Sequence, residues 1–334
     1  MEMIKNKRKV ALVTGANSGI GFEAAYQLAE EGYDKIILGV RSKEKGLDAK
    51  YRLVKRSSKD LFDYLVIDTS EIEASEKAAQ KLLEKGEKID LLVLNAGMSA
   101  GANMRRNSDG YDLTFASTLV GHHVFTTYLL NNGGLADDVS IIIAGSEAAS
   151  GFVPGINLPD LYTLANSDFN GDPYALLNAY AKGEYPEKYE TMNVYALAKL
   201  IVAWWASELA AQLPKGMSVN AVSPGSVPLT NFSRDMPWVM RKVMLPLMKV
   251  LGPITGTAQP ISKAARRYIE VAGYGEESNG KFFASAPKKM VGKLFEQKTQ
   301  YLQDRELQED GYRLVVEMTG GRVYSAEKQD LQAG

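Results

Sequence analysis

The chain has 334 residues, 45% hydrophobic and 24% charged, a balance that permits a sizeable buried core and excludes general disorder. Its 39 basic and 40 acidic residues leave a net charge of −1, which removes the broad positive field that nucleic-acid binding requires. There is no cysteine, and the only histidines, His122 and His123, point about 100° apart on a helix, so disulfides, thiol nucleophiles and zinc-type sites are excluded and metal-free chemistry is expected.

Residues 1–9 are polar and basic and run directly into an apolar strand, without the apolar stretch of a signal peptide. No apolar run approaches the roughly 20 residues of a membrane span, so a cytoplasmic protein is expected. Strands are predicted at 9–14, 35–40, 64–68, 91–95, 139–145 and 218–223, with a last one at 280–285, and helices at 21–30, 75–85, 113–130 and 192–212. Most of the strands are Val, Ile and Leu runs without alternation, as strands covered on both faces should be. The expected fold class is α/β: a Rossmann-type doubly wound parallel sheet flanked by helices, in three α/β/α layers. A single domain over 1–334 is expected, with an insertion at 151–190 rich in Pro, Gly, Asn, Asp and Tyr, a lid-like segment at 233–252, and a charged, helix-prone C-terminal extension at 288–334.

The first strand leads straight into Gly15-Ala16-Asn17-Ser18-Gly19-Ile20-Gly21 and then into an amphipathic helix. Glycines there turn the chain tightly, let backbone approach a pyrophosphate and leave the phosphate against a helix N-terminus, which is what a dinucleotide site demands. The second strand closes on Leu38-Gly39-Val40-Arg41-Ser42. No carboxylate stands at that turn to hold a ribose 2′-OH, and Arg41 is placed to pair with a 2′-phosphate, so NADP(H) is expected in preference to NAD(H).

Tyr195 and Lys199 lie four apart on a helix, so one face presents both to one bound molecule. A tyrosine is a poor base near its ordinary pKa of about 10, but a neighbouring ammonium favours the phenolate and equips the pair for proton transfer to or from a carbonyl oxygen. The same spacing recurs at Tyr51 with Lys55 and at Tyr324 with Lys328, and only position separates the three. The Tyr195 pair follows a strand ending in Gly145-Ser146 and precedes Ser223-Pro224-Gly225.

Thr14-Gly15-x-x-x-Gly19-x-Gly21 after a first strand, Asn95-Ala96-Gly97 after a fourth, and Ser146, Tyr195 with Lys199, and Pro224-Gly225 in that order resemble the short-chain dehydrogenase/reductase family, in the manner of its retinol dehydrogenases and carbonyl reductases, across residues 10–231. The resemblance implies that Asp68 meets the adenine ring, that Asn95, Ala96 and Gly97 line the path to the nicotinamide ribose, and that Pro224, Gly225 and Val227 face the nicotinamide. It implies a substrate-polarising role for Ser146. Alignment on Gly121-His122 puts Thr118 where the family usually has an asparagine that holds a proton-relaying water, so Thr118 either holds that water through its hydroxyl or the relay is impaired. Thr230 stands one place later than the family's threonine. The expected activity is interconversion of a carbonyl and an alcohol; a non-catalytic protein that senses NADP(H) or a ligand is the alternative.

Trp238, Val239, Met240, Val243, Met244, Leu247 and Met248 would make an apolar, adaptable cover over a lipophilic substrate. With Arg241, Lys242 and Lys249 the same stretch also suits a helix lying on a membrane surface, and a dimer interface or plain core is the third reading. Relatives of this kind pair as homodimers through the helices at 113–130 and 192–212, a surface that the insertion stands to block.

Overall fold

The structure is a computed structural model that describes residues 8–98, 101, 103–153, 155–228, 252 and 255–325. Among these residues, eight strands form one sheet: β1 (Val10–Thr14), β2 (Lys35–Val40), β3 (Phe62–Val66), β4 (Ile89–Leu94), β5 (Leu135–Ala144), β6 (Ser218–Val222), β7 (Phe282–Ser285) and β8 (Leu294–Glu296). Their order is β3-β2-β1-β4-β5-β6-β7-β8. All neighbours are parallel except β8, which runs antiparallel to β7. The order reverses between β1 and β4, so a crevice opens at their C-terminal ends, where the loops carrying Gly15 and Asn95 emerge.

Helices α1 (Gly19–Glu30), α2 (Lys43–Ser57) and α3 (Ile72–Glu84) connect the first four strands. The helix after β4 begins as Leu113–Phe115, passes through a π-helical turn at Ala116–Val120 and continues as Gly121–Asn131; the whole is α4. The insertion after β5 carries α5 (Leu161–Asp168) and α6 (Pro173–Ala181), then α7 (Thr191–Ala210) leads to β6. Beyond it come α8 (Ile261–Ala272) and, in the C-terminal extension, α9 (Arg305–Met318).

Every residue of β1 and β6 is buried, because helices cover both faces of the sheet and leave no solvent side to reward a polar alternation. Two apolar clusters result. One lies under α1, α2 and α8 and includes Ala24, Leu28, Leu53 and Tyr268; the other lies under α3, α4, α7 and α9 and includes Leu82, Phe125, Trp204 and Leu314. In α1, Gly21, Ala24, Ala25 and Leu28 fall on one face at helical spacing and pack inward.

α7 is apolar nearly all round because it is sandwiched between the sheet and α9. Trp204 and Trp205 are fully buried, each contributing roughly 1.5–3 kcal/mol by analogy with other large apolar side chains. α9 approaches so closely that a Cβ on Gly311 would lie 2.4 Å from the Trp204 ring. Trp204 Nε1 donates to the Tyr301 carbonyl at 2.8 Å, His123 Nε2 to the Arg322 carbonyl at 2.7 Å, and Arg322 pairs with Glu76 at 2.5 Å. The chain's own residues 301–322 therefore lie across the helices through which pairing was expected.

The predicted strands are recovered within about two residues except at the start of β5, which begins at Leu135 and not at 139; β3 ends at Val66, and Asp68 stands in the turn beyond it. The insertion does lie outside the sheet, but it is helical and tethered. Tyr189 Oη donates to Asp112 Oδ2 at 2.9 Å, the Asp112 amide donates to the Ala181 carbonyl at 2.7 Å, and Tyr162 Oη donates to Asp304 Oδ2 at 2.8 Å. The segment at 233–252, save Gly252, lies outside the described residues, as does Thr230. No helix among the described residues is long and apolar enough to cross a membrane, and no group of three or more His, Asp or Glu among them is placed to hold a metal.

Candidate active site

A cleft of about 660 Å³ lies over the C-terminal ends of β1, β4, β5 and β6. Gly15, Asn17, Ser18, Gly19 and Ile20 line one end together with Arg41 and Asp68. Asn95, Ala96 and Gly97 line the middle, and Ser146, Tyr195, Lys199, Pro224, Gly225 and Val227 the other end. Gly21 and Thr118 sit just behind the wall. Residues spread over most of the chain are thus brought to one surface.

The glycine loop is built from backbone requirements. Gly15 and Gly19 have φ of +68° and +63°, the left-handed region that side chains disfavour. Gly21 faces a different limit: a Cβ there would lie 2.5 Å from Asn95 Nδ2 and 2.7 Å from the Gly15 carbonyl oxygen. Ser18, Gly19 and Ile20, at the start of α1, line the cleft, so the positive end of the helix faces it. Arg52, stacked 4.6 Å above the Phe22 ring, holds the loop from outside by donating to the Asn17 carbonyl at 2.7 Å. Such a cradle fits a dinucleotide pyrophosphate.

A chain of hydrogen bonds fixes the second loop. Asn95 Nδ2 donates to the Thr14 carbonyl at 2.9 Å, and the Ala96 amide donates to Thr14 Oγ1 at 2.9 Å. Thr14 Oγ1 also meets His122 Nε2 at 2.9 Å, while His122 Nδ1 meets the Thr118 carbonyl at 3.1 Å. A carbonyl only accepts, so Nδ1 carries the ring proton and Nε2 accepts from the threonine. Burial drives His122 down to about 3 and His123 to about 4, and both rings are neutral. The Gly-His pair read from the sequence is therefore a structural strut between α4 and β1.

Beyond the end of β2, Arg41 is joined in the cleft lining by Lys45, which sequence reasoning missed. The signal was available in the Arg41-x-x-x-Lys45 spacing, which brings a second cation to the same turn. Asp68 Oδ1 accepts from the Ser70 amide at 3.0 Å and from Ser70 Oγ at 2.7 Å, so it caps the turn after β3 while also lining the cleft.

At the far end, Ser146 and Tyr195 meet although the whole insertion separates them in sequence. Ser146 hydrogen-bonds the Tyr195 hydroxyl and also accepts from the Ala148 amide at 3.2 Å. Lys199 Nζ lies 5.8 Å from the centre of the Tyr195 ring and donates to the Ala144 carbonyl at 2.6 Å. Burial holds its ammonium down to about 8. The same burial raises the Tyr195 phenol above its ordinary value, opposed by the Ser146 hydrogen bond. In the protein by itself desolvation outweighs that hydrogen bond.

Thr118 occupies the π-helical turn of α4, and its Oγ1 is buried without a hydrogen-bond partner among the described residues. A Cβ on Gly97 would lie 3.7 Å from Thr118 Oγ1 and 3.8 Å from Lys199 Nζ, so both groups converge behind that glycine. Met98, Leu113, Val153, Ile156, Met192 and Met290 add apolar surface to the cleft, and Arg105 adds a charge.

These features define a nucleotide-binding α/β scaffold with a serine, tyrosine and lysine at the far end of its crevice. The short chain dehydrogenase family model matches residues 9–158. A short chain dehydrogenase of Arthrobotrys oligospora is 28% identical over 82% of this chain and 81% of its own length. Retinol dehydrogenase 13 of Homo sapiens is 28% identical over 65% of this chain and 58% of its own. Among solved structures, an actinorhodin polyketide ketoreductase variant with NADPH superposes with a TM-score of 0.60 at 20% identity, covering 84% of this chain and 96% of that one. The Pseudomonas aeruginosa RhlG/NADP active-site complex superposes at 0.56 with 22% identity, over 79% and 89%. In sequence the chain is similar to short chain dehydrogenases, and in fold to these two solved structures.

Proposed function

We propose that the protein is an NADP(H)-dependent oxidoreductase that interconverts a carbonyl and an alcohol on a lipophilic small molecule. The observation that carries this is the convergence of Ser146, Tyr195 and Lys199 on the same cleft as the glycine loop. NADPH, when bound, supplies the hydride, and NADP⁺ accepts it in the reverse direction. The start of α1 and the glycine loop would hold the pyrophosphate, Arg41 and Lys45 would meet the 2′-phosphate, and Pro224, Gly225 and Val227 would back the nicotinamide. The similar ketoreductase with NADPH and the RhlG/NADP complex support the same cofactor.

Ser146 donates a hydrogen bond to the substrate oxygen, and Tyr195 donates a proton to that oxygen in reduction or removes it in oxidation. Lys199 resupplies the proton to Tyr195, with the Thr118 hydroxyl holding a water beside the ammonium. Thr118 suits that task because its buried Oγ1 otherwise lacks a partner and faces the same glycine as Lys199 Nζ. The methionine-rich wall favours an apolar, variable substrate body. We place the protein in the cytoplasm as one decorated domain. A homodimer through α4 and α7 would have to displace α9, so the tail takes the partner's place on that face.

The test is NADPH consumption against aromatic, aliphatic and steroid-like ketones, and NADP⁺ reduction with the matching alcohols, by the unmodified protein and by Tyr195→Phe. Turnover that requires the hydroxyl and prefers NADPH over NADH supports the proposal. Tight NADPH binding with no turnover in either direction would instead favour a sensor.

A further inference from the structure

We propose that Glu147 and Arg267 form a buried positioning pair that sets the Ser146 turn in register with the Pro224-Gly225 loop, so that one contact fixes both the substrate-polarising hydroxyl and the floor beneath the nicotinamide. The proposal rests on the reading of the cleft given above. Both side chains are almost completely buried, at 6% and 4% exposure, and they pair at 3.2 Å. Glu147 immediately follows Ser146 in the turn Glu147–Ser150, and Arg267 projects from α8.

The pair reaches the ends of three parallel strands. Glu147 Oε1, just past β5, accepts from the Ser285 amide at 3.1 Å and from Ser285 Oγ at 2.8 Å, at the end of β7. Arg267 Nη1 donates to the Ser223 carbonyl at 2.9 Å, at the end of β6. Its Nη2 donates to Ser285 Oγ at 2.8 Å and to the Gly292 carbonyl at 2.9 Å. Ser285 uses its single proton toward the carboxylate and accepts from the guanidinium, so the donors and acceptors balance.

The cofactor-facing loop rests directly on this network. A Cβ on Gly225 would lie 2.8 Å from Arg267 Nη1 and 2.8 Å from Gln259 Nε2, and Gln259 Nε2 donates to the Pro224 carbonyl at 2.6 Å. Gly225 has φ of +74° and lines the cleft, as does Glu147. A shift of the guanidinium therefore shifts the loop. Desolvation offsets most of the Coulombic gain of a buried pair, whereas a planar guanidinium fork fixes direction, so position is the larger effect of this contact.

The test compares a ligand that reaches this end of the cleft with one that does not. NADPH and adenosine 2′,5′-bisphosphate, which lacks the nicotinamide half, are titrated against the unmodified protein, Arg267→Lys, Glu147→Gln and Ser285→Ala, with melting temperature recorded for each. Ser285→Ala keeps both charges and guards against a variant that fails to fold. The expected result is NADPH affinity weakened tenfold or more by Arg267→Lys and Glu147→Gln and two- to fivefold by Ser285→Ala, with the bisphosphate unchanged. Equal weakening of both ligands, or unchanged NADPH affinity in folded variants, would overturn the proposal. If the unmodified protein ignores the bisphosphate, it is the NADP assignment that fails, and NADH against ADP-ribose applies the same two criteria to the pair.

Discussion

At the glycine end of the cleft, geometry is set by backbone: Gly15 and Gly19 adopt left-handed torsions, and Gly21 is where helix and strand touch too closely for any side chain. At the catalytic end side chains distant in sequence hold the geometry: Ser146 to Tyr195, Lys199 to Ala144, Arg267 to Glu147. The first kind of site tolerates change around it and fails when a glycine is replaced. The second can be altered gradually, one contact at a time, and each contact carries its own functional signature.

The largest expected effect lies at the catalytic end. Tyr195→Phe should lower kcat by about 10²–10⁴-fold, the usual worth of a general acid, while steady-state NADPH affinity stays within about threefold. Comparable loss of affinity would mean that Tyr195 shapes the cofactor site instead. Next, Arg41→Ala combined with Lys45→Ala should weaken NADPH by about 10–100-fold and leave NADH nearly unchanged, because charge-assisted bonds to a 2′-phosphate are lost. Equal loss for both cofactors in a binding titration would break the NADP assignment.

Gly21→Ala should cost about 1–3 kcal/mol and weaken cofactor binding, since the new Cβ meets the Gly15 backbone and Asn95 at once. An unchanged denaturation midpoint would contradict the backbone-limited view of that end. Stability should also fall as pH drops from about 6.5 toward 4. His122 and His123 are held neutral in the fold, at about 3 and about 4, whereas the unfolded chain takes up protons below its ordinary histidine value near 6.5. A melting temperature flat between about pH 7 and about pH 5 would show that the strut is not buried as described. The smallest effects concern the relay: Thr118→Val should slow turnover only about two- to tenfold, and activity should decline as pH rises through about 8, where Lys199 loses its charge. Full activity of Thr118→Val would remove the threonine from the proton path.

This contrast also explains what the sequence made legible. The strands, the glycine loop and Asn95-Ala96-Gly97 are local patterns whose physical cause lies within a few residues, so they could be read directly. Order along the chain pointed to Tyr195 and Lys199 among three equally spaced pairs, and both line the cleft, while composition marked 151–190, which carries α5 and α6. Lys45, Tyr268 and the Glu147–Arg267 pair were missed because their role exists only after folding. Tyr268 Oη donates to Asn95 Oδ1 at 3.3 Å across more than half the chain, and nothing near it in sequence announces that contact. Strand β8 and the covering of α7 by α9 were likewise hidden, since a charged, helix-prone tail does not reveal which surface it meets. The burial that raises the Tyr195 pKa was equally hidden, because desolvation depends on what the fold packs around the phenol.

The most direct test of the central claim is transfer of label from NADPH carrying deuterium at nicotinamide C4, on the transferred face, to an apolar ketone, followed by mass spectrometry of the alcohol. The account predicts one deuterium on the carbinol carbon with the unmodified protein, and almost none with Tyr195→Phe despite retained NADPH binding. Bound NADPH that yields no labelled alcohol from any ketone, together with no reduction of NADP⁺ by the corresponding alcohols, would contradict it.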